Sequence, residues 1–246
     1  MADRAGRRFQ VGIRALAEDF GAIAGAAIDR AGASPHLVGM LFKLRGLIAY
    51  NRGLFTEATQ LLTEAHTRFT ASAGALSLEV ATIESALGSV ARAAGDLDAA
   101  ERWHTHALEI DRSLRAKIHP DIARDLHNIA GVLRLRGNLD GATSFYLQAL
   151  AIEEASRGPR SVEAALTHNS LGLVALAQQD WPAARRELVL ARDLLVAADH
   201  GDRAFAHHNL GLLEAAIGDH RLAFTHYERA AATYATTIGT KTAPRS

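Results

Sequence analysis

The chain has 246 residues, with 27 lysines and arginines against 27 aspartates and glutamates. The resulting zero net charge argues against a dedicated nucleic-acid binder, which normally carries a basic excess. Cysteine is absent, which excludes disulfides, thiolate nucleophiles and thiolate metal sites. Hydrophobic residues make up 48% of the chain and aromatic residues 6%, so packed helices are favoured over disorder or a β-sheet.

The N-terminal segment, residues 1–35, is predicted to cap the fold. Within 7–31, apolar residues recur at alternating spacings of four and three, which is typical of an amphipathic helix. They are Phe9, Ile13, Leu16, Phe20, Ile23 and Ala27. The segment fits one long capping helix, or a degenerate repeat with a turn at residues 18–21. We slightly prefer the second, because the two flanking pieces are each about helix length.

The same segment lacks the pattern of an export signal. Arg7 and Arg8 form a twin-arginine pair, but Arg14, Glu18 and Asp19 interrupt the apolar stretch that follows, and a signal peptide needs an uninterrupted run. No uncharged run approaches the roughly 20 residues that span a bilayer. We therefore expect a cytoplasmic protein with no membrane partner.

Residues 36–236 contain five copies of one pattern. A small residue recurs at intervals of 42, 42, 42 and 39 positions, and three further columns follow it at offsets of seven, twelve and nineteen. The small-residue column is Gly46, Gly88, Ala130, Gly172 and Gly211, and the offset-seven column is Gly53, Gly95, Gly137, Gln179 and Gly218. The last two columns are alanine in every copy: Ala58, Ala100, Ala142, Ala184 and Ala223, then Ala65, Ala107, Ala149, Ala191 and Ala230. Such agreement in phase indicates an internal repeat.

Each copy is predicted to be a helix, a tight turn and a second helix. The two alanines lie two turns apart on one face of the second helix, where a small side chain allows a close neighbour. Glycine between the helices supplies the left-handed residue that ends the first, and the Asp or Asn after it caps the second. Pro35, Pro120 and Pro182 are predicted at helix starts.

These columns resemble the tetratricopeptide repeat, and their 42-residue period resembles the repeats of kinesin light chains. The stretch His119-Pro120-Asp121-Ile122-Ala123 is similar to the first helix of that subfamily. The aromatic column holds Leu62, His104, Tyr146, Leu188 and Tyr227, while the tryptophan of the family pattern is absent and no copy ends in proline. The resemblance implies an all-α fold, a right-handed superhelical solenoid of antiparallel helix pairs.

Residues 237–246 are predicted to form a flexible tail. With no extra helix after the fifth repeat, apolar residues of the last helix, among them Leu222, Phe224 and Tyr234, would stay partly exposed. Such a face would favour a homo-oligomer formed through the terminal helices, or a partner there.

The resemblance implies that the concave face, lined by the first helix of each pair, binds an extended peptide or a partner helix. Asparagine amides there can donate to and accept from a peptide backbone of any sequence. Arg92 and Arg134 occupy equivalent positions and could together accept a carboxylate. The predicted groove residues are Lys43, Tyr50, Asn51, Ser85, Arg92, His127, Asn128, Arg134, Asn169, His208 and Asn209.

The sequence predicts no enzyme, no cofactor and no metal. None of the adjacent histidine pairs has the i, i+4 spacing of a helical metal site. His168 and His207 share a column and could approach each other, but two ligands without a carboxylate make a poor site. Glu153 and Glu154 are interpreted as part of a solvated face.

The function predicted first is a scaffold or adaptor that binds a protein or peptide partner, not nucleic acid, through the groove. The alternative is a regulatory sensor that binds a peptide or small ligand and acts in trans on a signalling or transcription partner.

Overall fold

The computed structural model describes residues 34–240, and side chains through residue 235. Within that range every regular element is a helix. The helices are α1 (Pro35–Asn51), α2 (Phe55–Ala73), α3 (Leu78–Ala94), α4 (Leu97–Leu114), α5 (Pro120–Leu135), α6 (Leu139–Arg157), α7 (Val162–Ala177), α8 (Trp181–Ala197), α9 (Arg203–Ala216) and α10 (His220–Thr240). The all-α class and the helix-turn-helix repeats are confirmed.

The chain divides into two compact units, with the boundary between Ala116 and Lys117. In the described part of unit 1, α1 packs against α2, α2 against α3 and α3 against α4. In unit 2, α5 to α10 pack in the same sequential way. The predicted boundaries differ at one end: α10 continues to Thr240, past the predicted tail boundary at residue 237. The predicted cap at 7–31 lies outside the described residues.

The turns between paired helices have the backbone conformation that the offset-seven column predicts. Gly95 and Gly137 have positive φ angles of 88° and 79°, and Gln179, the one non-glycine in the column, takes the same left-handed region at 61°. The next residue caps the second helix, as predicted: Asp96 Oδ1 accepts from Ala99 N at 2.9 Å, and Asn138 Oδ1 accepts from Gly141 N at 3.0 Å. These bonds fix where each second helix begins.

The two alanine columns form the closest packing of the fold. All ten alanines are buried, none more than 4% exposed. The small-residue column of the first helix meets the residue sixteen positions later on the second helix. A Cβ placed on Gly172 would lie 2.6 Å from Leu188 Cγ, and one on Gly88 would lie 2.7 Å from His104 Cε1. At these two positions the helices can approach so closely because glycine carries no side chain.

Candidate peptide-binding surface

In unit 2 the first helices of successive repeats contact each other, α5 with α7 and α7 with α9. We call the side chains predicted to bind a partner on these helices the first-helix surface: His127, Asn128, Arg134, Asn169, His208 and Asn209. This surface is built on three rigid helices and not on loops, which suits the fixed placement of polar groups.

The asparagines of the first-helix surface contact one another. Asn209 on α9 donates from Nδ2 to Oδ1 of Asn169 on α7 at 2.9 Å. Asn209 is only 8% exposed, whereas Asn169 and Asn128 are half-buried. Asn209 therefore braces two adjacent helices, and the more open amides of Asn128 and Asn169 are better placed to meet a ligand.

The two histidines of this surface rest on aromatic rings of the second helices. The rings of His127 and Tyr146 meet edge-on at 4.9 Å, and those of His208 and Tyr227 lie 5.5 Å apart. His208 is exposed and His127 half-buried. The aromatic column thus has a second role beyond filling the core, since it holds the orientation of imidazoles on the first-helix surface.

Arg134 is the cationic member of the surface. It is half-buried, and among the described residues its buried Nε has no hydrogen-bond partner. No carboxylate of the described chain forms an ion pair with it. A buried guanidinium nitrogen left in this state is costly in free energy. The half-buried side chain keeps its positive charge, which would attract a carboxylate or carbonyl group of a ligand.

In unit 1 the predicted residues lie on α1 and α3, which also contact each other. Lys43, Tyr50 and Arg92 are half-buried and Asn51 is exposed at the end of α1. Ser85 is only 6% exposed, so it lies within the packing of the unit and presents little surface to a partner.

Two predictions about polar residues are wrong. Glu153 is not part of a solvated face: it is 6% exposed, and burial raises its pKa to about 7. It lies one turn beyond Ala149, on the face of α6 that packs inward, whereas Glu154 is exposed. His168 does have a nearby carboxylate, since its Nδ1 lies 2.8 Å from Glu187 Oε2, and this hydrogen bond lowers the pKa of Glu187.

Several buried polar contacts were missed by the sequence interpretation. Glu84, 2% exposed on α3, lies between two imidazoles, His66 Nε2 at 2.9 Å from Oε1 and His106 Nδ1 at 2.6 Å from Oε2. Thr167 on α7 is fully buried and its Oγ1 lies 2.9 Å from His127 Nδ1. A signal for Thr167 exists in the sequence, because its repeat column is apolar in three copies, at Leu41, Ile83 and Ala206, and polar at Asp125 and Thr167. Within residues 34–235, no three histidines or carboxylates are grouped to hold a metal ion.

His207 pairs with His226 of the following helix, with Nδ1 atoms 3.2 Å apart. Both are more than nine-tenths buried. Burial, followed by the charges of His226 and of Arg229, Arg192 and Arg203, lowers the pKa of His207 to about 4, and burial lowers that of His226 as well. Both rings are therefore neutral at pH 7, and one must donate to the other.

This pair predicts acid sensitivity in unit 2. Below the ordinary pKa of 6.5 the unfolded chain takes up protons that the folded pair refuses, so stability falls as the pH drops from 6.5 towards 4. The double variant His207→Leu/His226→Phe introduces residue types found at these columns in other repeats. Between neutral pH and about pH 5, we expect its free energy of unfolding to fall by about 1 kcal/mol less than that of wild type. Urea denaturation at each pH measures this. His208→Gln, on the exposed neighbour, should follow wild type, and an unchanged pH dependence in the double variant would contradict the assignment.

The helix-turn-helix repeats described above agree with a comparison of the sequence with known families. The tetratricopeptide repeat profile matches residues 38–113, 121–195 and 164–236. The chain belongs to the tetratricopeptide repeat family. No curated protein shows significant sequence similarity to it.

Solved structures share the tetratricopeptide fold at low identity. BtubC (BKLC) from P. vanneervenii is 22% identical, with a TM-score of 0.71 over 94% of this chain and 93% of that chain. The putative kinesin light chain TPR-like repeats of Podosopora anserina are 17% identical, with a TM-score of 0.62 over 80% and 94%. A Rap protein complexed with Competence and Sporulation Factor is 16% identical, with a TM-score of 0.72 over 84% of this chain but 57% of that chain.

Among residues 34–240, no helix has both the length and the apolar character required to cross a membrane.

Proposed function

We propose that this tetratricopeptide repeat protein is a scaffold or adaptor that binds a protein or peptide and is not an enzyme, with the first-helix surface of unit 2 as a contact site. The observation that carries the proposal is the state of Arg134, a half-buried cation with a buried Nε that no described residue hydrogen-bonds. The amides of Asn128 and Asn169 lie on the same surface, and amides pair with a peptide backbone irrespective of side chains. Arg134 would bind a hydrogen-bond acceptor of the peptide, and the amides of Asn128 and Asn169 would hydrogen-bond with the main chain of the peptide.

A double variant tests the proposal. Asn128→Ala/Arg134→Ala removes one amide and the cation, while Asn209 is kept because it braces α7 and α9. Peptides selected by wild type from a displayed random library are expected to bind the double variant about tenfold more weakly. Fluorescence anisotropy with a labelled selected peptide measures the affinity.

The matched control is Arg136→Ala, which removes an exposed arginine two residues farther along. It should bind like wild type. Equal binding by all three proteins would move the site away from the first-helix surface. If wild type selects no peptide at all, the peptide-binding proposal fails.

A regulatory sensor is the second candidate, favoured by the similarity to two Rap structures that contain peptide factors. One is the complex with Competence and Sporulation Factor, and the other is the conjugation gene regulator of plasmid pLS20 with the Phr* peptide, 14% identical with a TM-score of 0.69 over 79% of this chain and 52% of that chain. A sensor must change state on binding. Sedimentation velocity with and without a selected peptide separates the two roles: a ligand-dependent change of oligomeric state supports the sensor, and an unchanged state supports the scaffold.

A further inference from the structure

The first helix of unit 1, α1, carries an apolar face that stays partly exposed. Leu37, Leu41, Leu44 and Ile48 recur at spacings of four, three and four, which places them on one side of the helix. Leu37 is 49% exposed and Leu44 53%, while Leu41 and Ile48 are half-buried. A continuous apolar stripe of this length on a helix normally marks a surface that another element covers.

In the later repeats the corresponding face of the first helix is closed. The columns of Leu41 and Ile48 are at most 1% exposed in all four later copies. These buried equivalents are Ile83, Asp125, Thr167 and Ala206, then Val90, Val132, Val174 and Leu213. The first repeat is therefore the one copy in which this face lacks full cover.

The preceding second helix provides the cover in the later repeats. Ile83 and Val90 of α3 lie in one hydrophobic cluster with four residues of α2, namely Ala58, Leu62, Ala65 and Phe69. Leu213 of α9 lies in a cluster with Ala184 and Leu188 of α8. The open face of α1 is thus the surface on which a second helix from earlier in the chain would pack.

The sequence before α1 contains the matching residues. Five apolar residues stand 42 positions before the first residue and the four buried residues of α2, and they are Ile13, Leu16, Phe20, Ile23 and Ala27. Gly32 stands 42 positions before Gly74, the glycine with a positive φ angle of 86° that follows α2. The pattern therefore predicts a second helix that ends at Gly32, directly before the Ser34 cap of α1.

The residues that would face each other also change together. In the later repeats two polar contacts join a second helix to the next first helix, His66 with Glu84 and Arg185 with Glu214. The columns of the two basic residues hold Ala24 and Ala17 in the N-terminal segment. The columns of the two glutamates hold Phe42 and Ala49 in α1. Both sides are apolar, so this contact would bury no charge without a counter-ion.

Three positions depart from the repeat pattern. Leu16 and Ile23 take the two columns that are alanine in every other copy, and side chains of this size would overpack a helix that approached as closely as α1 approaches α2. They can instead add apolar area beside α1. Arg45 takes a column that holds leucine or isoleucine in the later repeats, where its aliphatic stem can lie on apolar surface while the guanidinium group stays in water.

We propose that residues 13–31 form the second helix of an incomplete repeat and cover the face of α1 that carries Leu37, Leu41, Leu44 and Ile48. A connection of only a few residues joins this segment to α1, so its effective concentration at the face exceeds that of a second copy of the chain. The face would then be closed to outside partners, unlike the first-helix surface of unit 2.

Thiol labelling tests the proposal, because the chain contains no cysteine of its own. Leu41→Cys places a single thiol on the face, and Ile83→Cys places one at the same column of α3, where α2 covers it. In the full chain we expect iodoacetamide to alkylate both thiols slowly. Adding Phe20→Asp should raise the rate at Leu41→Cys about tenfold and leave the rate at Ile83→Cys unchanged.

The matched control is Ala15→Asp, which adds the same charge to the segment at the column of the exposed Glu57. It should leave both rates unchanged. The proposal is overturned if Leu41→Cys reacts as fast as Ser144→Cys, an exposed site on α6, or if Phe20→Asp accelerates both buried thiols equally. Protection of Leu41→Cys that is lost on dilution, together with a dimer in sedimentation velocity, would assign the face to a second copy and also overturn it.

Discussion

Gly172→Ala is expected to destabilise unit 2 by ~1–3 kcal/mol, although alanine is the better helix former. The new methyl group would lie 2.6 Å from Leu188 Cγ and 3.2 Å from the Leu188 backbone nitrogen. Leu188 cannot swing away, because it is fully buried and packed in a cluster with Ala184, Leu210 and Leu213. The two helices of the repeat must therefore separate. Urea denaturation followed by circular dichroism measures the loss.

Gly131→Ala is the matched control and should have the opposite sign. Gly131 also lies inside a first helix of unit 2, but the nearest atom to its added Cβ would be Tyr146 Oη at 3.6 Å, an ordinary contact. With no clash, the helical preference of alanine should raise stability by ~0.5–1 kcal/mol. Equal effects of the two substitutions would show that the close approach of Gly172 to Leu188 does not limit the packing of the repeat.

The repeat columns explain why so much of the fold can be predicted from the sequence. Five copies present the same physical requirement at the same phase, so the amino-acid pattern alone marks Ala142 and Ala149 as close-packed. Turns are equally local, since Gly95 and Asp96 together encode the helix end and the next cap. Even Gln179 follows the column, because the flanking helices impose the backbone conformation that glycine would adopt more easily.

Buried polar pairs are harder to predict because each occurs only once. Glu84 meets His66 and His106 across three helices, and the spacings of 18 and 22 residues do not recur in the other copies. Adjacent Glu153 and Glu154 suggest a charged face, but Glu153 lies four residues after the buried Ala149 and therefore on the inward side of the helix. Helical register was the better guide than local charge.

The same contrast applies to the candidate site. Which helices present side chains to a partner follows from the repeat, so His127, Asn128 and Asn169 could be proposed from the sequence. The bond between Asn209 and Asn169 could not, because it joins two repeats of unequal length, 39 residues separating the small-residue positions Gly172 and Gly211. Long-range pairing of this kind depends on how one repeat is offset against the next.

Arg185→Ala should cost about 2–3 kcal/mol, because it leaves the carboxylate of Glu214 without its counter-ion. Arg185 Nη2 on α8 lies 2.7 Å from Glu214 Oε2 on α9, and Glu214 is only 2% exposed while the arginine is 46% exposed. Because Arg185 is partly exposed, water can reach Glu214 once the arginine is removed. The loss of unfolding free energy should therefore be smaller than that for a fully buried ion pair. Urea denaturation of unit 2 measures it.

The sequence offers a second substitution that separates the pair from its packing. Glu214 stands at the column that holds Ala49, Ala91, Leu133 and Ala175 in the other repeats, so Glu214→Leu places there a residue that this fold already accepts. In the double variant Arg185→Ala/Glu214→Leu no charge is left buried, and stability should return to within about 1 kcal/mol of wild type. Recovery would mean that the carboxylate, and not the loss of the arginine side chain, causes the damage. A double variant as unstable as Arg185→Ala would instead show that the arginine stem stabilises α8 and α9 through its packing.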